Sequence, residues 1–129
     1  MYNLRMTSIP PEYLILLRSK EKEDRRLAAE KLGELGPAAI EAVRPLLNDP
    51  EWRLRYRAAE IIGFTSDPSG IPLLTPLLSD EKDHVRYMAV KSLGRCGTIE
   101  LEPIISPMLN DENPFVRRIT VGVLSGWKI

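Results

Sequence analysis

The sequence predicts an all-α chain: a right-handed α-solenoid (an alpha-alpha superhelix) of antiparallel helix pairs, about 31 residues to the repeat. Three observations predict it. The segments LAAEKLGELG (27–36), YRAAEIIGFT (56–65), YMAVKSLGRC (87–96) and RITVGVLSGW (118–127) fall into register at spacings of 30 or 31 residues. A second string recurs between them, as VRPLLND (43–49), LTPLLSD (74–80) and ISPMLND (105–111). Finally, Leu54, Ala58, Ile61, Ile62 and Thr65 return at three- and four-residue steps with Arg53, Arg57 and Glu60 between them. That is one apolar stripe on a 3.6-residue period, with no alternation that would suggest a strand.

The columns divide the single domain, residues 1–129, into a half repeat at 10–19, full repeats at 20–49, 50–80 and 81–111, and a half repeat at 112–129. In the opening half repeat, Ile15-Leu16-Leu17-Arg18-Ser19 is a degraded copy of the second string. The first full repeat starts irregularly, because Ser19 stands in the aspartate column of Asp49 and Asp24 stands in the apolar column of Leu54. A specially capped N-terminal end is expected there.

In the first helix of each repeat, Arg25, Arg55, Arg86 and Arg117 align, as do Ala28, Ala58, Ala89 and Thr120, and Leu32, Ile62, Leu93 and Leu124. Gly33, Gly63 and Gly94 close the stripe, where they suit left-handed C-caps ahead of turns such as Ser66-Asp67-Pro68. In the second helix, Pro45, Pro76 and Pro107 share a column, four residues after Glu41, Pro72 and Pro103. A proline there removes a backbone bond and predicts a shared bend. In the closing half repeat, Ile119, Val123, Trp127 and Ile129 give the last first-type helix an apolar excess, which marks a candidate association face. No single helix pair is large enough to hide its own stripe, so stacking is the fold.

These residues resemble the HEAT-like repeats named after phycobilisome lyases, whose pattern is an aspartate, a Val-Arg pair, a small-residue pair, Leu-Gly and then a proline-containing second helix. The resemblance runs from about Pro10 onward. It implies a hydrogen-bonded structural ladder between adjacent repeats, made from Asp49, Asp80 and Asp111 with Arg55, Arg86 and Arg117. It also implies a second function class, an accessory subunit of a bilin lyase-type or other modifying enzyme. The HEAT-type enzyme deoxyhypusine hydroxylase holds iron on His-Glu pairs, and this sequence has none.

Charge and composition narrow the chemistry. Eighteen basic residues balance eighteen acidic ones, so no global excess favours nucleic acid or a membrane. Eleven basic residues nevertheless fall on the first helices, and nucleic-acid binding along that ridge is a third class. His84 and Cys96 are single of their kind, and twelve helical residues separate them by roughly 18 Å, which rules out a Cys–His couple. No catalytic, metal or cofactor site is expected. The apolar run at 13–17 is too short for a signal segment or a membrane span, and with one cysteine a cytoplasmic setting is expected.

The function expected is therefore protein recognition by a non-catalytic scaffold. Its contact surface would follow the second helices at Glu41, Arg44, Asn48, Thr75, Ser79, Glu102, Ser106 and Asn110, with self-association through the last helix as a further possibility. On the outer side of the first helices, Arg26, Tyr56, Tyr87 and Arg118 share one column. Two tyrosines flanked by arginines suit either a binding stripe or plain stacking between repeats.

Overall fold

The computed structural model describes residues 9–127, and all regular structure among them is helical. The first-type helices are α2 (Lys22–Gly33), α4 (Trp52–Thr65), α6 (Asp83–Cys96) and α8 (Pro114–Trp127). The second-type helices are short: α1 (Pro11–Leu16), α3 (Pro37–Val43), α5 (Ile71–Leu74) and α7 (Glu102–Ile105). Each of the last three runs directly into a 3₁₀ segment, at Arg44–Asn48, Thr75–Ser79 and Ser106–Asn110.

α4 lies between α2 and α6, and α6 between α4 and α8, so the first helices form one continuous stack. Each 3₁₀ segment packs against the first helix that follows it. The result is an all-helical solenoid whose core lies between the two layers. Small residues let the helices close on one another: Ala28, Ala29, Ala58, Ala59 and Ala89 are fully buried, and Leu32, Ile62 and Leu93 fill the space behind them. None of the described helices is long and apolar enough to cross a membrane.

The structure alters three expectations. Gly33, Gly63 and Gly94 do not supply left-handed C-caps, because they lie inside their helices at the closest approach of neighbouring first helices. A Cβ at Gly63 would collide with Ser92, one at Gly33 with Phe64, and one at Gly94 would sit 2.9 Å from a Val123 methyl. The left-handed residue that ends α4 is Ser66, at φ 52°, three positions later.

The prolines act by changing helix type. Each α segment gives way to 3₁₀ geometry one residue before Pro45, Pro76 or Pro107, which places the proline where its missing N–H costs least.

The third change concerns the last helix. Ile119, Val123 and Trp127 are half-buried and pack against the core, while Phe115 and Val121 are the large apolar side chains that α8 exposes. Ile129 lies outside the described residues.

Candidate functional site

The arginine column is built into the stack from both sides. Arg55 donates from Nε and Nη2 to the carboxylate of Asp80 at 2.8 and 3.0 Å, and from Nη1 to the carbonyl of Asp49 at 2.8 Å. Arg86 repeats this geometry with Asp111, at 2.8 and 3.1 Å, and with the carbonyl of Asp80 at 2.9 Å. The aspartate six residues earlier thus contributes its backbone, and the carboxylate comes from 25 residues further on. Each such carboxylate also ties the turn ahead of the next helix, Asp80 accepting from the amide of Lys82 and Asp111 from that of Asn113, both at 2.9 Å. Burial alone would raise the Asp111 pKa, but the hydrogen bonds, Arg86's foremost, hold it below the usual carboxylate range.

The two ends of the column differ. Arg25 donates to the carbonyls of Ser19 and Lys20, at 2.8 and 3.0 Å, and among the described residues it makes no hydrogen bond to Asp49. Ser19 takes over the turn, with its Oγ accepting from the Glu21 amide at 3.0 Å and donating to Asp24 at 3.1 Å. Arg117 bonds the carbonyls of Asp111 and Glu112 at 2.7 and 3.1 Å, and no carboxylate among the described residues reaches its Nε or Nη2.

Two further ridge cations are closely paired. Arg57 pairs with Glu60 at 2.6 Å, and Arg26 with Glu23 and Glu30 at 3.1 and 2.8 Å. In the tyrosine column, Tyr56 and Tyr87 are half-buried, and Arg118 stacks on Phe115 at 5.3 Å.

Along the second helices, Glu41, Arg44, Asn48, Ser79 and Asn110 are exposed, whereas Thr75, Glu102 and Ser106 are half-buried. Glu41 and Arg44 pair at 3.2 Å, and Thr75 turns its hydroxyl onto the Ile71 carbonyl at 2.8 Å.

The opposite face of the last repeat carries an exposure that no single segment of sequence announces, although comparing columns would have found it. Leu47 and Leu78 are 7% and 9% exposed, but their equivalent Leu109 is 39% exposed. Ala59 and Val90 are fully buried beneath the following repeat, while the equivalent Val121 is 52% exposed. With Arg117, these residues stand in the columns through which α4 meets the repeat that follows it.

Cys96 is buried, shares the Ile62 carbonyl with Thr65, and has its thiol pushed up to about 11 by burial. His84 is exposed and pairs with Asp83 at 2.8 Å. No three His, Cys, Asp or Glu among the described residues form a metal-holding group.

Comparison with known families gives a direct result: the model for HEAT repeats matches residues 10–87 and 71–127. The chain belongs to the HEAT repeat family. No curated protein sequence matches this HEAT chain. Among solved structures it resembles human deoxyhypusine hydroxylase in complex with glycerol, at TM-score 0.75 and 23% identity, over 96% of this chain and 44% of that one. It also resembles the complex of CpcE and CpcF of phycocyanin lyase from Nostoc sp., at TM-score 0.69 and 20% identity, over 98% and 55% of the respective chains. An engineered protein matches at TM-score 0.59 and 20% identity, over 88% of this chain and 60% of that one. The HEAT chain therefore spans about half the length of these structures, and at such identities the likeness is one of fold.

Proposed function

We propose that this HEAT-repeat chain is a non-catalytic scaffold that binds another protein through the surfaces of its stacked repeats. The observation that carries this reading is the triple departure in the last repeat, where Leu109, Val121 and Arg117 expose positions that are covered in the repeats before it. The chemistry of what covers them, a partner or a further repeat of the same polypeptide, follows from the internal precedents. It would place apolar side chains on Val121 and Leu109, and a carboxylate opposite Arg117 Nε and Nη2, as Asp80 does for Arg55. A second copy of this chain is one candidate. The second-helix positions Glu41, Arg44, Asn48, Thr75, Ser79, Glu102, Ser106 and Asn110 would offer a separate polar contact row, and a cytoplasmic setting belongs to the same proposal.

The reading as an accessory subunit of a modifying enzyme draws support from the fold shared with a phycocyanin lyase complex and a hydroxylase. It uses the same open face and differs in what the partner does. The nucleic-acid reading is weakened by the zero net charge and by the pairing of Arg26, Arg55, Arg57 and Arg86 with carboxylates, which removes these four from the ridge charge that could displace counterions.

The test compares the wild-type protein with Val121→Asp, and separately with Glu41→Lys combined with Glu102→Lys. Sedimentation at about 100 μM reports self-association, a concentration high enough to populate micromolar complexes. Affinity capture with mass spectrometry reports other partners. A complex lost in Val121→Asp, with helical content unchanged, supports the end-face reading. A complex lost only in the charge reversal moves the contact to the second helices, and capture of nucleic acid alone overturns the proposal.

A further inference from the structure

A cleft of about 230 Å³ opens on the first-helix side, lined by Tyr56, Asp83, His84, Tyr87, Asn113 and Phe115. It crosses three consecutive repeats: Tyr56 comes from α4, Asp83, His84 and Tyr87 from the first turns of α6, and Asn113 and Phe115 from the start of α8. Neither the end face nor the second-helix row uses these residues.

The floor of the cleft is an oriented acid. Asn113 Oδ1 accepts from the amides of Phe115 and Val116 at 2.7 and 3.3 Å, which fixes the side-chain amide so that Nδ2 donates to Asp83 Oδ2 at 2.7 Å. The other oxygen, Oδ1, lies 2.8 Å from His84 Nδ1. Each carboxylate oxygen keeps acceptor capacity beyond its one partner. The hydrogen bond from His84 lowers the Asp83 pKa, so the group is an anion at neutral pH.

The walls are aromatic, and two of the rings carry cations of this chain. Arg57 stacks on Tyr56 at 5.2 Å and Arg118 on Phe115 at 5.3 Å. Arg57 is neutralised by Glu60 and Arg86 by Asp111, and Asp83 supplies the carboxylate among the lining residues, with Arg118 on the Phe115 ring. The neighbouring recess, reached past Tyr56 and His84, has the opposite character, being lined by Lys22, Arg25, Arg53 and Arg57.

We propose that this cleft is a binding site for a cationic side chain of a protein partner, an arginine guanidinium above all, held between the aromatic walls and the Asp83 carboxylate. A planar guanidinium stacks on tyrosine rings and forks onto a carboxylate, which a point-charge ammonium does less well. The cleft volume suits a single side-chain head group rather than a folded segment.

The test is a ¹H–¹⁵N NMR titration with N-acetyl-arginine amide, alongside N-acetyl-lysine amide, tetramethylammonium and the neutral N-acetyl-norleucine amide. Saturable shifts confined to the amides around Tyr56, Asp83, Tyr87 and Phe115 are expected, with Kd in the millimolar range proper to one side chain. Asp83→Asn, which keeps the shape, and Phe115→Ala, whose ring is exposed and outside the core, should each weaken binding at least about fivefold. Tetramethylammonium binding as tightly as the arginine amide would overturn the guanidinium assignment in favour of a quaternary ammonium ligand. Equal binding of the norleucine amide, no saturable shift, or full binding by Asp83→Asn would overturn the site itself. None of these variants touches Val121, so the outcome is independent of the end-face test.

Discussion

Arg86 holds Asp111 with two hydrogen bonds of 2.8 and 3.1 Å while donating a third, of 2.9 Å, to the backbone of Asp80. One side chain therefore fastens the turn before α6 to the turn before α8. Both partners are about nine-tenths buried as side chains, at 10% and 8% exposure, so neither charge has water to fall back on.

Removing one partner of such a pair strands the other. Asp111→Ala is expected to cost about 3 kcal/mol of unfolding free energy, because the buried Arg86 guanidinium would keep only the exposed Glu112 carboxylate, 3.7 Å away. Asp49 occupies the same column, yet among the described residues its side chain accepts only from the Glu51 amide. Asp49→Ala should cost about 1 kcal/mol, the worth of one hydrogen bond in a turn. Urea denaturation of the two variants measures the difference.

Acid should weaken the same rung. The Asp111 pKa lies below its unfolded value, so the folded state binds its proton less readily. The stabilisation is complete above the unfolded carboxylate value of about 3.9 and is lost as pH falls through the lower folded value. Between about pH 5 and pH 2, the stability of Asp111→Asn should fall less steeply than that of the wild type. Thermal or urea unfolding across that interval tests it, and equal slopes would count against the linkage.

Glycine substitutions should divide by sign. Gly63→Ala drives a methyl into Ser92, whose hydroxyl is tied to the Ala59 carbonyl at 2.7 Å, and should cost about 1–3 kcal/mol through overpacking. Gly122 lies in the middle of α8 with nothing within 4 Å of an added Cβ. There the same change should stabilise by about 0.5–1 kcal/mol, through helix propensity. Denaturation midpoints of the two variants, moving in opposite directions, check both halves of the argument.

Cys96 should be slow toward thiol reagents. With the thiol pushed up to about 11, its thiolate fraction at pH 8 is roughly 100-fold below that of an unperturbed cysteine, and burial adds to the protection. Labelling by iodoacetamide in buffer and in 6 M guanidinium compares the two states, and equal rates would show the site to be open.

The helix pairs and the alignment of arginines and aspartates along the stack were legible in the sequence, because each is a matter of spacing. The partnership between Arg55 and Asp80 was less so. A separation of 25 residues means nothing until the helices are stacked, whereas the six-residue separation from Asp49 is visible at once and turns out to involve only the backbone. The glycines misled for a related reason. Near the end of an apolar stripe, a capping glycine and a glycine pressed against the next helix look alike, and only Phe64, Ser92 and Val123 on the facing helices separate the two. The outward turn of Val121 was hidden because exposure depends on a neighbour, and the chain says nothing about neighbours until its columns are compared for depth.

The prolines at 45, 76 and 107 carry a mechanical consequence. On one side of the molecule, unbroken helices are locked together by glycine contacts and paired charges; on the other, each helix is cut into a short α piece and a five-residue 3₁₀ piece with weaker hydrogen bonds. A beam built in this way flexes about its stiff edge. When the molecule bends, Tyr56, Asp83 and Phe115 should keep their spacing, like marks along a steel rule, while Glu41, Ser79 and Asn110 draw together or spread apart. On the readings proposed above, the stiff edge would gauge a single side chain, and the compliant edge would fit itself to partners of different girth.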